Sequence, residues 1–162
     1  LFKAFAACDN KSLRLVLVGD GKEKDNLMNL AGQLGISDRV DFRGFLAGQA
    51  LRECYKTAGA FVLPTREDCF GLVLIEAMCA GLPIIVSQYS DGAAETVTED
   101  VNGYIVDPYD TAQFTRAIDR TFTDEQTRKR LGTAGYEATE KFRFEKVAVG
   151  YLEAIEDALS GR

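Results

Sequence analysis

The feature that most constrains this chain is alternation. Short apolar runs closed by glycine or proline trade places with amphipathic runs of helical period. "SLRLVLVGDG" (12–21) reads as a continuous apolar strand ended by Gly19 and Gly21. "KEKDNLMNLAGQLG" follows, with Leu27, Leu30, Ala31 and Leu34 at helical spacing and Gly35 as a stop. "RVDFRG" (39–44) is a short strand, 46–58 a helix, and "GAFVLPT" (59–65) a buried strand ended by Pro64. A helix beginning near Phe70-Gly71-Leu72, a strand "PIIVSQY", a short helix "DGAAETV" and a strand "NGYIVD" (102–107) continue the pattern. "DTAQFTRAIDRTF" places Ala112, Phe114, Ala117, Ile118 and Phe122 on one face. A last helix at 144–160 does the same with Phe144, Val147, Ala148, Tyr151, Leu152, Ile155 and Leu159.

Wholly apolar strands imply a sheet covered on both faces, and strand–helix alternation implies parallel crossovers. The expected fold class is therefore α/β, a Rossmann-like doubly wound parallel sheet. With 162 residues, 46% of them hydrophobic, the chain supports one core of ordinary size, and residues 1–162 read as one domain.

Composition removes several kinds of chemistry. The chain has no histidine, which excludes a Ser-His or Cys-His nucleophile system, a His-ligated zinc and a His general base within it. Its net charge of −6 gives no basic footprint for nucleic acid and no polybasic membrane patch. Cys8, Cys54, Cys69 and Cys79 have no C-x-x-C or metal-ligand spacing and read as thiols of a reducing compartment. No apolar run approaches the ~20 residues needed to span a bilayer. The start shows no signal-peptide pattern and no initiator Met, as expected for a piece of something longer.

Doubly wound sheets bind ligands at the carboxyl ends of their strands. Topology therefore directs attention to Gly19-Asp20-Gly21, Arg43-Gly44-Phe45, Thr65 to Gly71, and Ser87 to Gly92. "GDGKEK" matches neither G-x-G-x-x-G nor the P-loop; its glycines suit close approach to a ligand and equally suit a plain strand-to-helix turn. The stretch "PTREDCFGLVLIEAMCAGLPIIVS" is richer. A helix starting at Gly71 points free N–H groups and a positive dipole end at an anion. Asp68 or Glu67 precedes it in the loop, and Glu76 lies in its second turn. A loop acid for a sugar, amides for phosphates and a second acid for ribose hydroxyls describe a nucleotide-sugar site. The plainer alternative is a helix-dipole acid and a solvated Glu76.

That stretch resembles the signature of the group 1 (family 4) glycosyltransferases, two-domain enzymes of the GT-B fold. "LVLVGDG", "RVDFRGFL" and "NGYIVDPYD" occur in the order the family shows, so the resemblance covers nearly the whole chain. Family members pair two glutamates eight residues apart; eight before Glu76 stands Asp68, with Glu67 one further. The resemblance implies the C-terminal, donor-binding half of a retaining glycosyltransferase. Asp68 (or Glu67) would meet the donor sugar, and the amides of Phe70, Gly71, Leu72 and Val73 the diphosphate. Glu76 would bind the ribose, Arg43-Gly44 would frame the base through backbone atoms, and Gly19 would lie beside the nucleotide. No cofactor and no metal are implied, since the nucleotide sugar is a substrate and protein groups supply positive charge. The family's basic pair, the N-terminal acceptor domain and any membrane contact would belong to the half not in this sequence. The expected compartment is the cytoplasm, including attachment at the inner membrane face, and the expected role is glycan or cell-envelope polysaccharide synthesis. Alone, these residues would bind donor weakly and turn nothing over. The competing readings are half of a GT-B epimerase or phosphorylase and a non-enzymatic nucleotide-sugar-binding module.

Overall fold

The computed structural model describes residues 1–160. In chain order its elements are α1 (Phe2–Ala7), β1 (Leu15–Val18), α2 (Lys24–Gln33), β2 (Val40–Gly44), α3 (Gly48–Thr57), β3 (Phe61–Leu63), α4 (Leu72–Cys79), β4 (Ile84–Ser87), α5 (Ala93–Thr96), β5 (Gly103–Val106), α6 (Thr111–Thr121), α7 (Glu125–Ala138) and α8 (Phe144–Ser160). Every strand pairing is parallel. The strands form two sheets, β1-β2 and β3-β4-β5.

The period-2 alternation of β4 shows how the larger sheet is covered. Ile85 points into a cluster with α1, α2 and α6 residues such as Phe5, Ala31 and Phe114. Ile84 and Val86 point into a second cluster with Leu74, Ala77 and Met78 of α4. All four β4 residues are buried, as a strand covered on both faces requires.

The two-stranded sheet departs from the expectation of two covered faces. Leu15 and Leu17 join the first cluster. Val16 and Val18, on the opposite face of β1, remain 42% and 41% exposed. The second cluster reaches β3, β4 and β5 but not β1.

Local signals explain the helix ends. Asp110 caps α6 by accepting from the Gln113 N–H at 2.9 Å. Asp124 caps α7 in the same way from Thr127. Helix α7 was not among the helices read from the sequence. Leu131 is its one large buried side chain; Gly132 and Gly135 supply the rest of its buried contact. A Cβ on Gly132 would stand 2.0 Å from the Gly81 carbonyl oxygen, so α7 packs by its bare backbone on the turn after α4.

Helix α8 is amphipathic as read, but its apolar face is uncovered: Phe144 is 82% and Leu159 83% exposed. No helix of the described residues is long and apolar enough to cross a membrane.

Candidate functional site

Because all strands run parallel, the loops after β1, β2, β3 and β4 open at the carboxyl ends of the strands. The first two are tied together: the Gly19 N–H donates to the Gly44 carbonyl oxygen at 2.7 Å. Beside Gly19 is a cavity of about 280 Å³ lined by Leu17, Val18, Asp20, Lys24 and Phe42 among others. That is below the ~300–1,000 Å³ typical of small-molecule sites, and suits one part of a ligand rather than a whole one.

Arg43 lies within β2 itself. Its Nε meets Asp41 Oδ2 at 2.8 Å, and Nη1 reaches Cys54 Sγ at 3.5 Å. The hydrogen bond to Asp41 raises the guanidinium's pKa above its usual value. Asp41 and Arg43 share one strand face, as residues two apart in a strand do.

The loop from Pro64 to Gly71 is ordered by its own polar groups. Thr65 Oγ1 donates to the Glu67 carbonyl at 2.6 Å. Asp68 is partly buried, and its Oδ1 accepts the Phe70 N–H at 3.0 Å. The Phe70 amide, one of those expected at a diphosphate, is thus engaged by the Asp68 carboxylate. Asp68 also joins the next loop, since its carbonyl accepts the Asp91 N–H at 3.0 Å and it forms a ladder bridge with Ser90. Glu67 is exposed, and among the described residues its carboxylate has no hydrogen-bond or ion-pair partner.

Helix α4 begins where the sequence placed it. Gly71 takes φ 72° and ψ 59°, the left-handed region in which a side chain is strained, and turns the chain into Leu72. No side chain caps this helix. The Leu74 N–H is taken by the Gly71 carbonyl at 2.8 Å, which leaves the Leu72 and Val73 amides of the first turn without an acceptor among the described residues, the kind of helix end that suits an anion. Leu72 is 68% exposed there, whereas Leu74, Ala77 and Met78 are buried and anchor the helix.

Glu76 is exposed on α4, but it is not merely solvated. Its Oε2 accepts from the Tyr55 hydroxyl of α3 at 3.0 Å. Burial of the Tyr55 ring, then the Glu76 carboxylate, pushes the Tyr55 pKa well up. The ring is fixed by Phe61, with centroids 6.0 Å apart. Sequence reasoning missed Tyr55, because a partner 21 positions away on another helix leaves no local signal. Topology marks the β4–α5 loop, Ser87 to Gly92, but gives no role to Ser90 or Gly92 within it. A Cβ at Gly92 would lie 1.9 Å from the Phe70 carbonyl oxygen, so this loop touches the backbone just before α4. Among the described residues no three of His, Cys, Asp and Glu gather as a metal site.

The sequence model of the family described as glycosyl transferases group 1 matches residues 1–138. An uncharacterized glycosyltransferase of Methanocaldococcus jannaschii is 33% identical over 141 residues, which are 86% of this chain and 36% of that protein. A lipopolysaccharide core biosynthesis glycosyltransferase of Rhizobium meliloti is 34% identical over 142 residues, 87% of this chain and 41% of that protein. The chain thus spans about two-fifths or less of the length of these two relatives. Among solved structures, Anabaena HepE in complex with UDP superposes with a TM-score of 0.82 at 27% identity, covering 100% of this chain and 44% of that one. The parallel α/β architecture is accordingly that of a GT-B half, and the chain belongs to the group 1 glycosyltransferase family.

Proposed function

We propose that this chain is the donor-binding half of a retaining glycosyltransferase that takes a sugar from a nucleoside-diphosphate sugar. The observation that carries the reading is the uncapped, Gly71-led N-terminus of α4, with Asp68 in the loop before it and Glu76 in its second turn. The amides of Gly71, Leu72 and Val73 hold the diphosphate, with the helix dipole adding to the attraction. Glu76 receives ribose hydroxyls through Oε1, while Tyr55 holds Oε2 and fixes the carboxylate's rotamer. Asp68 gives up, or shares, its bond to the Phe70 amide when a donor sugar arrives. Gly19 and the Gly44 carbonyl flank the nucleotide. Arg43 acts mainly through its backbone, since its guanidinium is engaged by Asp41.

The solved HepE complex with UDP supports a nucleoside diphosphate as the ligand class. The lipopolysaccharide core relative supports a glycan acceptor. We place the acceptor domain of the full-length enzyme against the uncovered apolar face of α8, and we assign charge neutralisation at the diphosphate to protein groups rather than a metal.

Calorimetric titration of nucleoside diphosphates into the full-length protein tests the site. Glu76→Ala is expected to weaken binding about tenfold or more, the effect of losing a hydrogen bond to a charged group. Its melting temperature should stay near that of the parent, because Glu76 is exposed. Equal affinity in the two proteins removes Glu76 from the site. Tyr55→Phe keeps the ring against Phe61 but frees the Glu76 carboxylate. A smaller loss of affinity, about two- to fivefold, is expected, in line with a net hydrogen-bond contribution of about 0.5–1 kcal/mol. A Tyr55→Phe loss larger than that of Glu76→Ala contradicts the assigned order of roles.

A further inference from the structure

Ser90 is 2% exposed, and among the described residues its Oγ is the buried side-chain oxygen with no hydrogen-bond partner. A buried hydroxyl left unmet destabilises a fold, and such groups are rare enough to need a reason. The surroundings supply one. The Ser90 backbone is held by its N–H to the Ser87 carbonyl at 3.1 Å and by the bridge to Asp68. Its Oγ stands 3.2 Å from the place a Cβ would occupy on Gly71, directly against the residue that opens α4. The unsatisfied hydroxyl therefore borders the same helix end whose amides lack a cap.

We infer that Ser90 is a phosphate-contacting residue, its hydroxyl donating to a non-bridging oxygen of a diphosphate seated on the first turn of α4. This rests on the donor-site reading and adds a residue to it. Serine turns its Oγ between staggered positions about one torsion, so the contact forms without moving the backbone. A hydroxyl can both donate and accept, and an anion asks only for a donor. A Cβ at Gly71 would stand 3.1 Å from Leu63 Cδ2 and 3.2 Å from both Leu74 Cδ1 and Ser90 Oγ, so the missing side chain is what lets the hydroxyl lie this close to the start of α4.

The test is Ser90→Ala in the full-length protein, with Glu76→Ala beside it. Unliganded proteins are melted, then titrated with UDP, GDP and ADP and with the matching nucleosides. Ser90→Ala is expected to raise the unliganded melting temperature by about 2–4 °C, because an unmet polar atom is gone. It is also expected to weaken the tightest nucleoside diphosphate about tenfold while leaving its nucleoside unchanged. A structural role alone does not produce stabilisation together with phosphate-specific loss. Unchanged diphosphate affinity, an equal loss for the nucleoside, or a lowered melting temperature overturns the assignment. If Glu76→Ala weakens binding and Ser90→Ala does not, only the Ser90 role falls. If neither does, or the parent binds none of the three diphosphates, the donor site itself falls.

Discussion

Gly92→Ala is expected to destabilise the chain and to abolish measurable nucleotide binding together. Gly92 has φ −74° and ψ −7°, a conformation open to any residue, so backbone freedom is not the reason. The reason is space. An added Cβ would lie 1.9 Å from the Phe70 carbonyl oxygen, 2.9 Å from its carbon and 3.3 Å from Cα. These are backbone atoms one residue before Gly71, so relief requires moving the start of α4. In a helical position with room, alanine stabilises by up to about 1 kcal/mol over glycine. Here the overlap wins, and a net loss toward the upper end of about 1–3 kcal/mol is expected from overpacking. Gly150→Ala is the matched control, since a Cβ there meets nothing within 4 Å. Chemical denaturation and a nucleotide titration of the two variants give the comparison. Gly92→Ala with parental stability and affinity would show that the loop yields freely and that its contact with Phe70 sets nothing in the site.

The parts of this fold legible in the sequence are those written in local pattern. Strand β4 reads as apolar because both its faces are covered, and α4 reads from Gly71 onward because its buried face is aliphatic. Helix α7 escaped because its packing surface is Gly132 and Gly135, which carry no hydrophobic signal. The exposure of Val16 and Val18 escaped for the opposite reason: an apolar tetrad looks two-sided whether or not a neighbour covers the second face. In the site, the positions of Asp68, Gly71 and Glu76 follow from spacing along one loop and one helix. Their partners do not. The Tyr55 bond to Glu76 and the Asp68 link to Ser90 and Asp91 join segments adjacent only after the sheet has formed. Arg43 and Asp41, by contrast, stand two apart on one strand, and that ion pair was readable in principle.

In the full-length enzyme, Asp68→Asn is expected to lower kcat/KM for the donor by about ten- to a hundredfold while leaving the affinity for free nucleoside diphosphate nearly unchanged. Asparagine keeps an Oδ1 that can accept the Phe70 N–H, so the loop retains the bond that shapes it. What it loses is the negative charge and one acceptor, the features that would meet donor-sugar hydroxyls. A hydrogen bond to a charged group is worth about 1.5–3 kcal/mol, which sets the size of the effect. Glu67→Gln is expected to change kcat/KM less than twofold. Glu67 contributes its backbone to the loop, through the Thr65 hydroxyl, and its exposed carboxylate has no partner among the described residues. Steady-state kinetics with the nucleotide sugar, paired with calorimetry of the free nucleotide, separates the two acids. The reverse ranking would make Glu67 the sugar-binding acid and leave Asp68 only its bond to the Phe70 amide. A loss of free-nucleotide affinity as large as the loss in kcat/KM would place Asp68 at the ribose hydroxyls instead, because only a contact to the donor sugar spares a nucleotide that lacks it, and removing a carboxylate beside the phosphates would not weaken the binding of an anion.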